Sequence, residues 1–264
     1  MKENIQPQHA QLPLWPDKSN SDKQTTLRRL YKDLEVYSHS KAVILPNIEI
    51  PTQPPFEDTK DKILDAYTTI LGEERGVLLS QLDQIQAFDE SENRYIQRTK
   101  VLISKNPNIL NMNCEVGHVT GSALILDIKS KKILLHKHKK LDVWLQFGGH
   151  PDYELSIIEV AKREAAEESS LTDLTLVSPY EDKSLPIDID LHTIDQKDQR
   201  PEHLHADFRY FLATEKPETL AAAAGESDDF WWITPEEGMA PNPKINPAVR
   251  RLITKAKIYL DSIQ

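Results

Sequence analysis

Apolar residues recur at a helical period in the first part of this chain, at a strand period in the middle, and at a helical period again near the end. Leu27, Leu30, Tyr31 and Leu34 mark a short amphipathic helix, preceded by residues 1–24, whose polar, proline-containing, aperiodic composition predicts a disordered leader. Ala42, Val43, Ile44 and Leu45 suit a strand, and Pro46, Pro51, Pro54 and Pro55 turn the next stretch into an extended linker. From about Thr59 the pattern is helical, with Ile63, Tyr67, Ile70 and Leu71 on one face and Leu78, Leu82 and Ile85 on the next. A further helix is expected over residues 92–104. These helices have the spacing of an antiparallel cap ahead of a sheet, placed where it could border a substrate pocket.

Strand patterns then take over. Residues 124–128 and 132–136 flank Lys129-Ser130-Lys131 as a hairpin. Val143-Trp144-Leu145-Gln146-Phe147 is strand-like, and further strands are expected at 174–177, 186–192, 201–209 and 230–233. Thr234 before Pro235 is a helix start signal, and Val249, Leu252, Ile253, Ala256 and Leu260 define a closing helix. The mixture is α/β, organised as an N-terminal extension over 1–58, a helical cap over 59–111 and an α/β domain over 112–264. No internal repeat is visible.

Between the middle strands lies the densest chemistry. Gly148-Gly149-His150-Pro151-Asp152 forms a glycine turn, followed by a helix expected to begin near Glu154 or Leu155 that carries Arg163-Glu164-Ala165-Ala166-Glu167-Glu168. Glu164, Glu167 and Glu168 share one helical face, where like charges repel by roughly 0.2–0.5 kcal/mol per pair. A bound cation reverses that cost, and hard carboxylate oxygens suit Mg²⁺ or Mn²⁺ bridging to the phosphates of a substrate. A second constellation alternates on two strands: Asp188, Asp190 and His192 on one, His203, His205 and Asp207 on the next. With period two each trio shares a face, and pairing of the strands would bring all six together to bind a metal, supply a base or orient a leaving phosphate.

The glycine turn and acidic helix resemble the Nudix box, whose pattern runs Gly, five residues, Glu, seven residues, then Arg-Glu-apolar-any-Glu-Glu-any-Gly-apolar. Aligned from Gly149, the chain matches at Arg163, Glu164, Ala165, Glu167, Glu168 and Leu171, and departs at Leu155 for the early Glu and at Ser170 for the closing Gly. In Nudix enzymes the early Glu braces the box Arg, so here Arg163 is expected to rely on Glu154, Glu167 or another carboxylate. The entry Trp144-Leu145-Gln146-Phe147-Gly148-Gly149-His150 is similar to a Nudix subgroup that writes Trp-Leu-Gln-Pro-Gly-Gly-His and often lacks the early Glu. That likeness extends from about Asp61 to the end of the sequence, and it implies that residues 117–123 form the first core strand.

The resemblance implies the Nudix fold, a mixed β-sheet sandwiched between helices, here with an N-terminal helical extension. It implies metal-dependent hydrolysis of a diphosphate bond in a nucleoside diphosphate linked to another group. Glu164, Glu167, Glu168 and the Gly149 carbonyl would hold Mg²⁺ or Mn²⁺. Arg163 would support them, and Glu167, Glu202 and His205 are the candidates for the base. Substrate contacts are expected from His150, Trp144 and Lys139, with Tyr153 and Trp231 as further aromatic candidates and Lys137 and Lys140 as further cations; His118, like His150, is a weaker functional candidate, for which a structural role is the ordinary one. Leu155 and Ser170 are the features expected of a different class, a non-catalytic Nudix-fold nucleotide sensor. A Nudix-fold isoprenoid diphosphate isomerase is a third reading, disfavoured because its catalytic Cys lies in the core whereas Cys114 precedes the first strand.

Charge and composition limit the partners. A net charge of −10 argues against general nucleic-acid binding, which needs a basic surface to release phosphate counterions, and an anionic substrate would have to rely on local cations. No apolar run approaches the roughly 18 residues needed to cross a bilayer, and no apolar signal core follows Met1. Cytoplasmic localisation is expected, which the single Cys114 also suits. The N-terminal helix has three possible partners: its own domain, a second copy in a homodimer, or another protein.

Overall fold

Residues 25–32, 34–35, 49–53, 57–138, 141–151, 156–196, 200–222 and 229–263 are described by the structure, a computed structural model. Eight strands form one mixed sheet: β1 (Gly117–Asp127), β2 (Lys132–His138), β3 (Val143–Leu145), β4 (Phe147–Gly149), β5 (Thr175–Val177), β6 (Asp188–Ile194), β7 (His203–Thr214) and β8 (Phe230–Ile233). The main path runs β3-β2-β1-β7-β5, with β4 paired to β1, β6 to β7 and β8 to β2. β1 and β7 are parallel, from Gly117 opposite Leu204 to Asp127 opposite Thr214. All other pairings are antiparallel.

The helices are α1 (Glu57–Gln84), α2 (Glu90–Lys105), α3 (Ile157–Ser169), α4 (Pro235–Met239) and α5 (Pro247–Ser262). β1 is central and buried on both faces: Ala123–Leu126 is continuously apolar, and the polar side chains of its first half, His118, Thr120 and Ser122, are buried as well. Val119, Ala123 and Ile125 join Ile157, Val160, Ala161 and Ala165 of α3 in one core, while Leu124 and Leu126 join Val249, Leu252, Ile253 and Ala256 of α5 in the other. The alternation of β1 thus feeds two cores, and helices sandwich the sheet. Gly121 sets how closely α3 approaches: a Cβ there would lie 2.6 Å from the Ile157 carbonyl oxygen. No other residue fits between strand and helix.

Most elements match the patterns read from the sequence, with changes at their ends. The segments 117–123 and 124–128 form one strand, and the stretch entering the glycine turn divides into β3 on β2 and β4 on β1. Both apolar faces expected after Thr59 belong to one 28-residue helix that ends before Ile85. Helix α3 starts at Ile157, later than expected from Glu154 or Leu155, which lie outside the described residues. The leader and the 42–45 strand also lie outside them. Residues 25–32 and 34–35 are helical, and Leu27, Leu30 and Leu34 are buried in the α3-side core, so this helix packs on its own chain. Among the described residues, no helix is long and apolar enough to cross a membrane.

Candidate active site

β4 and α3 position the acidic helix on the glycine turn. β4 pairs with β1 so that Gly148 lies opposite Ser122 and Gly149 opposite Gly121. A Cβ on Gly149 would come within 2.4 Å of the Glu164 carboxyl carbon, and one on Gly148 within 2.3 Å of the Ser122 Cβ. Both positions therefore need glycine, one to admit a carboxylate against the backbone and the other to admit β1. The Gly148 N–H donates to Glu168 Oε2 at 3.2 Å, joining the turn to the last box carboxylate.

Arg163 is braced without the early Glu. Its Nη1 donates to Glu164 Oε1 at 2.9 Å and Glu167 Oε2 at 3.0 Å, and its Nη2 to the His150 carbonyl at 2.8 Å. The expected reliance on Glu167 is thus seen, joined by Glu164. Glu154 and Leu155 lie outside the described residues, as do Lys139, Lys140 and Tyr153. The second departure from the box is absorbed by the backbone. Ser170 caps α3 in the left-handed region (φ 58°, ψ 10°), its N–H donating to the Ala166 carbonyl at 2.8 Å. An L-residue pays roughly 1–2 kcal/mol for that conformation and glycine does not. Ser170→Gly is accordingly expected to stabilise the fold by about 1 kcal/mol, seen as a higher urea midpoint at unchanged slope.

Carboxylate oxygens suit a hard divalent cation in donor type, and three of them share one helical face; Glu164 is seated in the space that Gly149 leaves open, Arg163 draws Glu164 and Glu167 together, and Glu168 accepts from the Gly148 N–H. Glu164 is largely covered and Glu167 more than half exposed. Trp144 is not brought to this group. It lies 5.3 Å from Trp231, ring centre to ring centre, and both pack against the α5-side core. Lys137 is engaged by Asp142 at 2.7 Å and Asp229 at 3.7 Å. Glu202 is exposed just before β7.

The six alternating Asp and His residues do pair across β6 and β7, with Asp190 opposite Asp207 and His192 opposite His205. They do not form one site. The aspartates surround Arg209, which the Asp/His alternation alone does not single out: its Nε donates to Asp207 at 2.9 Å, its Nη1 contacts Asp188 at 3.3 Å and its Nη2 Asp190 at 3.0 Å. From α5, Arg251 Nε reaches Asp188 at 2.6 Å and Lys255 Nζ at 3.1 Å. Lys255 also pairs with the buried Glu92 of α2, which accepts from the Ile189 N–H. Thr120, Ser122 and Gln146 donate to Asp207 as well. These aspartates are neutralised in the core and unavailable to a metal. Physical necessity explains the arrangement, because buried carboxylates persist only when paired and hydrogen-bonded.

The histidines separate from them and gather with two others. His118 stands opposite His205 in the β1–β7 register, and its ring centre lies 4.4 Å from His205, 5.1 Å from His203 and 5.0 Å from His150. His192 instead contacts Asp190 through Nδ1 at 2.9 Å. Burial, reinforced by repulsion from His150, Arg200 and His203, lowers the His118 pKa to about 3. Burial and the neighbouring histidines lower that of His205 to about 2. Both shifts favour the neutral imidazole in His118 and His205. Both nitrogens of His118 and the Nε2 atoms of His203 and His205 are buried without a hydrogen-bond partner. Each such atom ordinarily costs about 1–3 kcal/mol. A cavity of about 320 Å³, lined by Asn113, Cys114, Glu115, Arg200, Pro201 and His203, borders the cluster. Burial also raises the pKa of the Cys114 thiol, which disfavours a reactive thiolate there.

Comparison with known proteins returns a family model, described as NUDIX domain, that matches residues 118–255, just over half of the chain. The chain is similar to a solved hydrolase of the NUDIX family from Clostridium perfringens, at 29% identity over 56% of this chain and 98% of that one, with a TM-score of 0.41. It is also similar to a C. elegans Ap4A hydrolase, at 18% identity over 55% of this chain and 98% of that one, with a TM-score of 0.39. A third is the E. coli dihydroneopterin triphosphate pyrophosphohydrolase, at 16% identity, 53% and 95% coverage and a TM-score of 0.41. No curated protein matches the chain.

Proposed function

The chain belongs to the NUDIX domain family, and from that premise we propose that it is a metal-dependent pyrophosphohydrolase acting on a nucleoside diphosphate linked to another group. The observation that carries this reading is the seating of the acidic helix on the glycine turn, with Glu164 against Gly149 and Glu168 on the Gly148 N–H. Glu164, Glu167 and Glu168, with the Gly149 carbonyl, would hold Mg²⁺ or Mn²⁺. When bound, the ion supplies Lewis acidity toward the diphosphate oxygens and neutralises their charge. Arg163 is a positioning residue, since it holds Glu164 and Glu167 together and ties them to the His150 carbonyl. Glu167, the more exposed of the two, is the best-placed proton acceptor for an attacking water. His150, joined to Arg163, is the candidate for orienting the substrate beside the helix.

The test is a hydrolysis screen of the purified full chain with Mg²⁺ and with Mn²⁺. It covers nucleoside diphosphate sugars, dinucleoside polyphosphates, nucleoside triphosphates and nucleotide coenzymes, with products identified by ³¹P NMR. Turnover that requires the divalent ion and yields products split at a phosphoanhydride bond is expected. Tight nucleotide binding with no turnover under either ion would replace this reading by that of a sensor.

A further inference from the structure

The orphaned nitrogens of the histidine cluster require an explanation, because buried polar atoms in folded proteins almost always find a partner. Among the described residues, His118, His203 and His205 are the one group of three or more metal-binding side chains whose ligand atoms lie within 4.8 Å of one another. We propose that these three histidines form a binding site for a borderline-soft divalent transition-metal ion of the Zn²⁺ class, distinct from the carboxylate site on α3.

Four observations support the assignment. First, His203 has its tautomer fixed: Nδ1 lies 2.9 Å from the Pro201 carbonyl, which can only accept, so Nδ1 carries the proton and Nε2 presents its lone pair. Metal-bound histidines characteristically donate their second N–H to a carbonyl or carboxylate in this way. Second, the ring centres are 4.4, 5.1 and 5.2 Å apart. Imidazoles on a four-coordinate zinc ion, with Zn–N bonds of about 2.0–2.1 Å, place their ring centres roughly 5 Å apart. Third, both ring nitrogens of His118 and the Nε2 atoms of His203 and His205 are buried without a hydrogen-bond partner, so none of these atoms is committed to another group. Fourth, His203 lines a cavity of about 320 Å³ that Glu115 and Arg200 also line, so the cluster lies next to open space.

Imidazole donors favour Zn²⁺, Co²⁺ or Ni²⁺ over Mg²⁺ much more strongly than the carboxylates of α3 do, so excess Mg²⁺ should occupy the carboxylates and leave zinc on the histidines. Three protein ligands leave a fourth position open, and His150, 5.0 Å from His118 and 5.1 Å from His205 between ring centres, flanks it. An ion there would tie the first residues of β1 to those of β7, immediately beside the loop that carries the box glycines.

The experiment titrates metal-free full chain with Zn²⁺ by calorimetry and with Co²⁺ by visible absorption, in wild type, His203→Gln, His205→Gln and Glu168→Gln. One equivalent of Zn²⁺ is expected in wild type and in Glu168→Gln, with a raised melting temperature and the strong visible bands of low-coordinate Co²⁺. Either histidine substitution should weaken binding by more than about 100-fold, beyond the loss that an outer-shell partner causes. Should a histidine variant not fold, zinc-induced shifts of the His118, His203 and His205 ring nitrogens in the NMR spectrum of wild type decide the matter. Absence of saturable one-to-one binding, unmoved ring resonances, or binding abolished by Glu168→Gln but retained in His203→Gln would overturn the site.

Discussion

Arg209→Met is expected to cost the fold at least about 3–5 kcal/mol, the scale of removing one partner from a buried ion pair. That is a large fraction of the roughly 5–15 kcal/mol that holds an ordinary domain together. The reason is geometric. Arg209 is only 3% exposed and touches three carboxylates, those of Asp188, Asp190 and Asp207, all themselves buried. Arg251 and Lys255 still reach Asp188, and Thr120, Ser122 and Gln146 still donate to Asp207, but the summed negative charge would exceed what these partners neutralise. Urea unfolding measures the loss. A control is Lys257→Met, whose partners Glu236 and Asp261 are exposed and whose urea midpoint is expected to stay close to that of wild type. The same network predicts a pH dependence. Burial raises the pKa of Asp188, but the Arg251 hydrogen bond and the charges of Lys255 and Arg209 outweigh it and hold the value down to about 2. Because the folded value lies below the unfolded one, near 3.9, this contribution is present above about pH 4 and is lost as the pH falls toward 2. In Arg209→Met the folded value should move up toward the unfolded one, so this acid-sensitive contribution should shrink and its loss be complete at a higher pH. Equal stability of variant and wild type would show that the aspartates do not depend on Arg209.

Arg209 also shows where the sequence was legible and where it was not. His203, His205 and Asp207 were readable as one face by their period of two, and Arg209 is simply the next member of that alternation. Its meaning depends on Asp188 lying opposite, which is a property of the β6–β7 register, and on Arg251 and Lys255, which arrive from a helix distant in sequence. The acidic helix and glycine turn were legible because their chemistry is local: three carboxylates within one turn and a half of helix, docked on the glycine pair of the turn that leads into that helix. The histidine cluster was only half legible. His203 and His205 declared themselves by spacing, whereas His118 reaches them through the parallel β1–β7 pairing, and no local pattern reports which strands run side by side. Trp144 illustrates the converse. It stands beside the box in sequence, yet strand alternation turns it toward the α5-side core with Trp231. The Ser170 departure looked like a broken box and is a helix cap in which serine occupies a glycine conformation.

Glu168→Gln is expected to lower metal-dependent hydrolysis by about 100- to 1000-fold, the scale on which a single electrostatic stabiliser of a transition state acts. The substitution separates charge from shape. Glutamine keeps an oxygen able to accept the Gly148 N–H, now 3.2 Å from Glu168 Oε2, so α3 should stay docked and the melting temperature change little. What is lost is a negative ligand, and the rate should therefore shift to higher Mg²⁺ or Mn²⁺ concentrations as well as fall. Glu167→Gln makes the informative contrast. If Glu167 takes the proton from water, its replacement should depress the rate at saturating metal, remove the acidic limb of the pH–rate profile, and leave the metal concentration at half-maximal rate closer to that of wild type. A metal-concentration series on the three proteins, read at several pH values, distinguishes a lost ligand from a lost base. Undiminished turnover of Glu168→Gln with the wild-type metal dependence would remove Glu168 from the metal site. The divalent ion would then have to be held by Glu164, Glu167 and groups away from the Gly148 N–H.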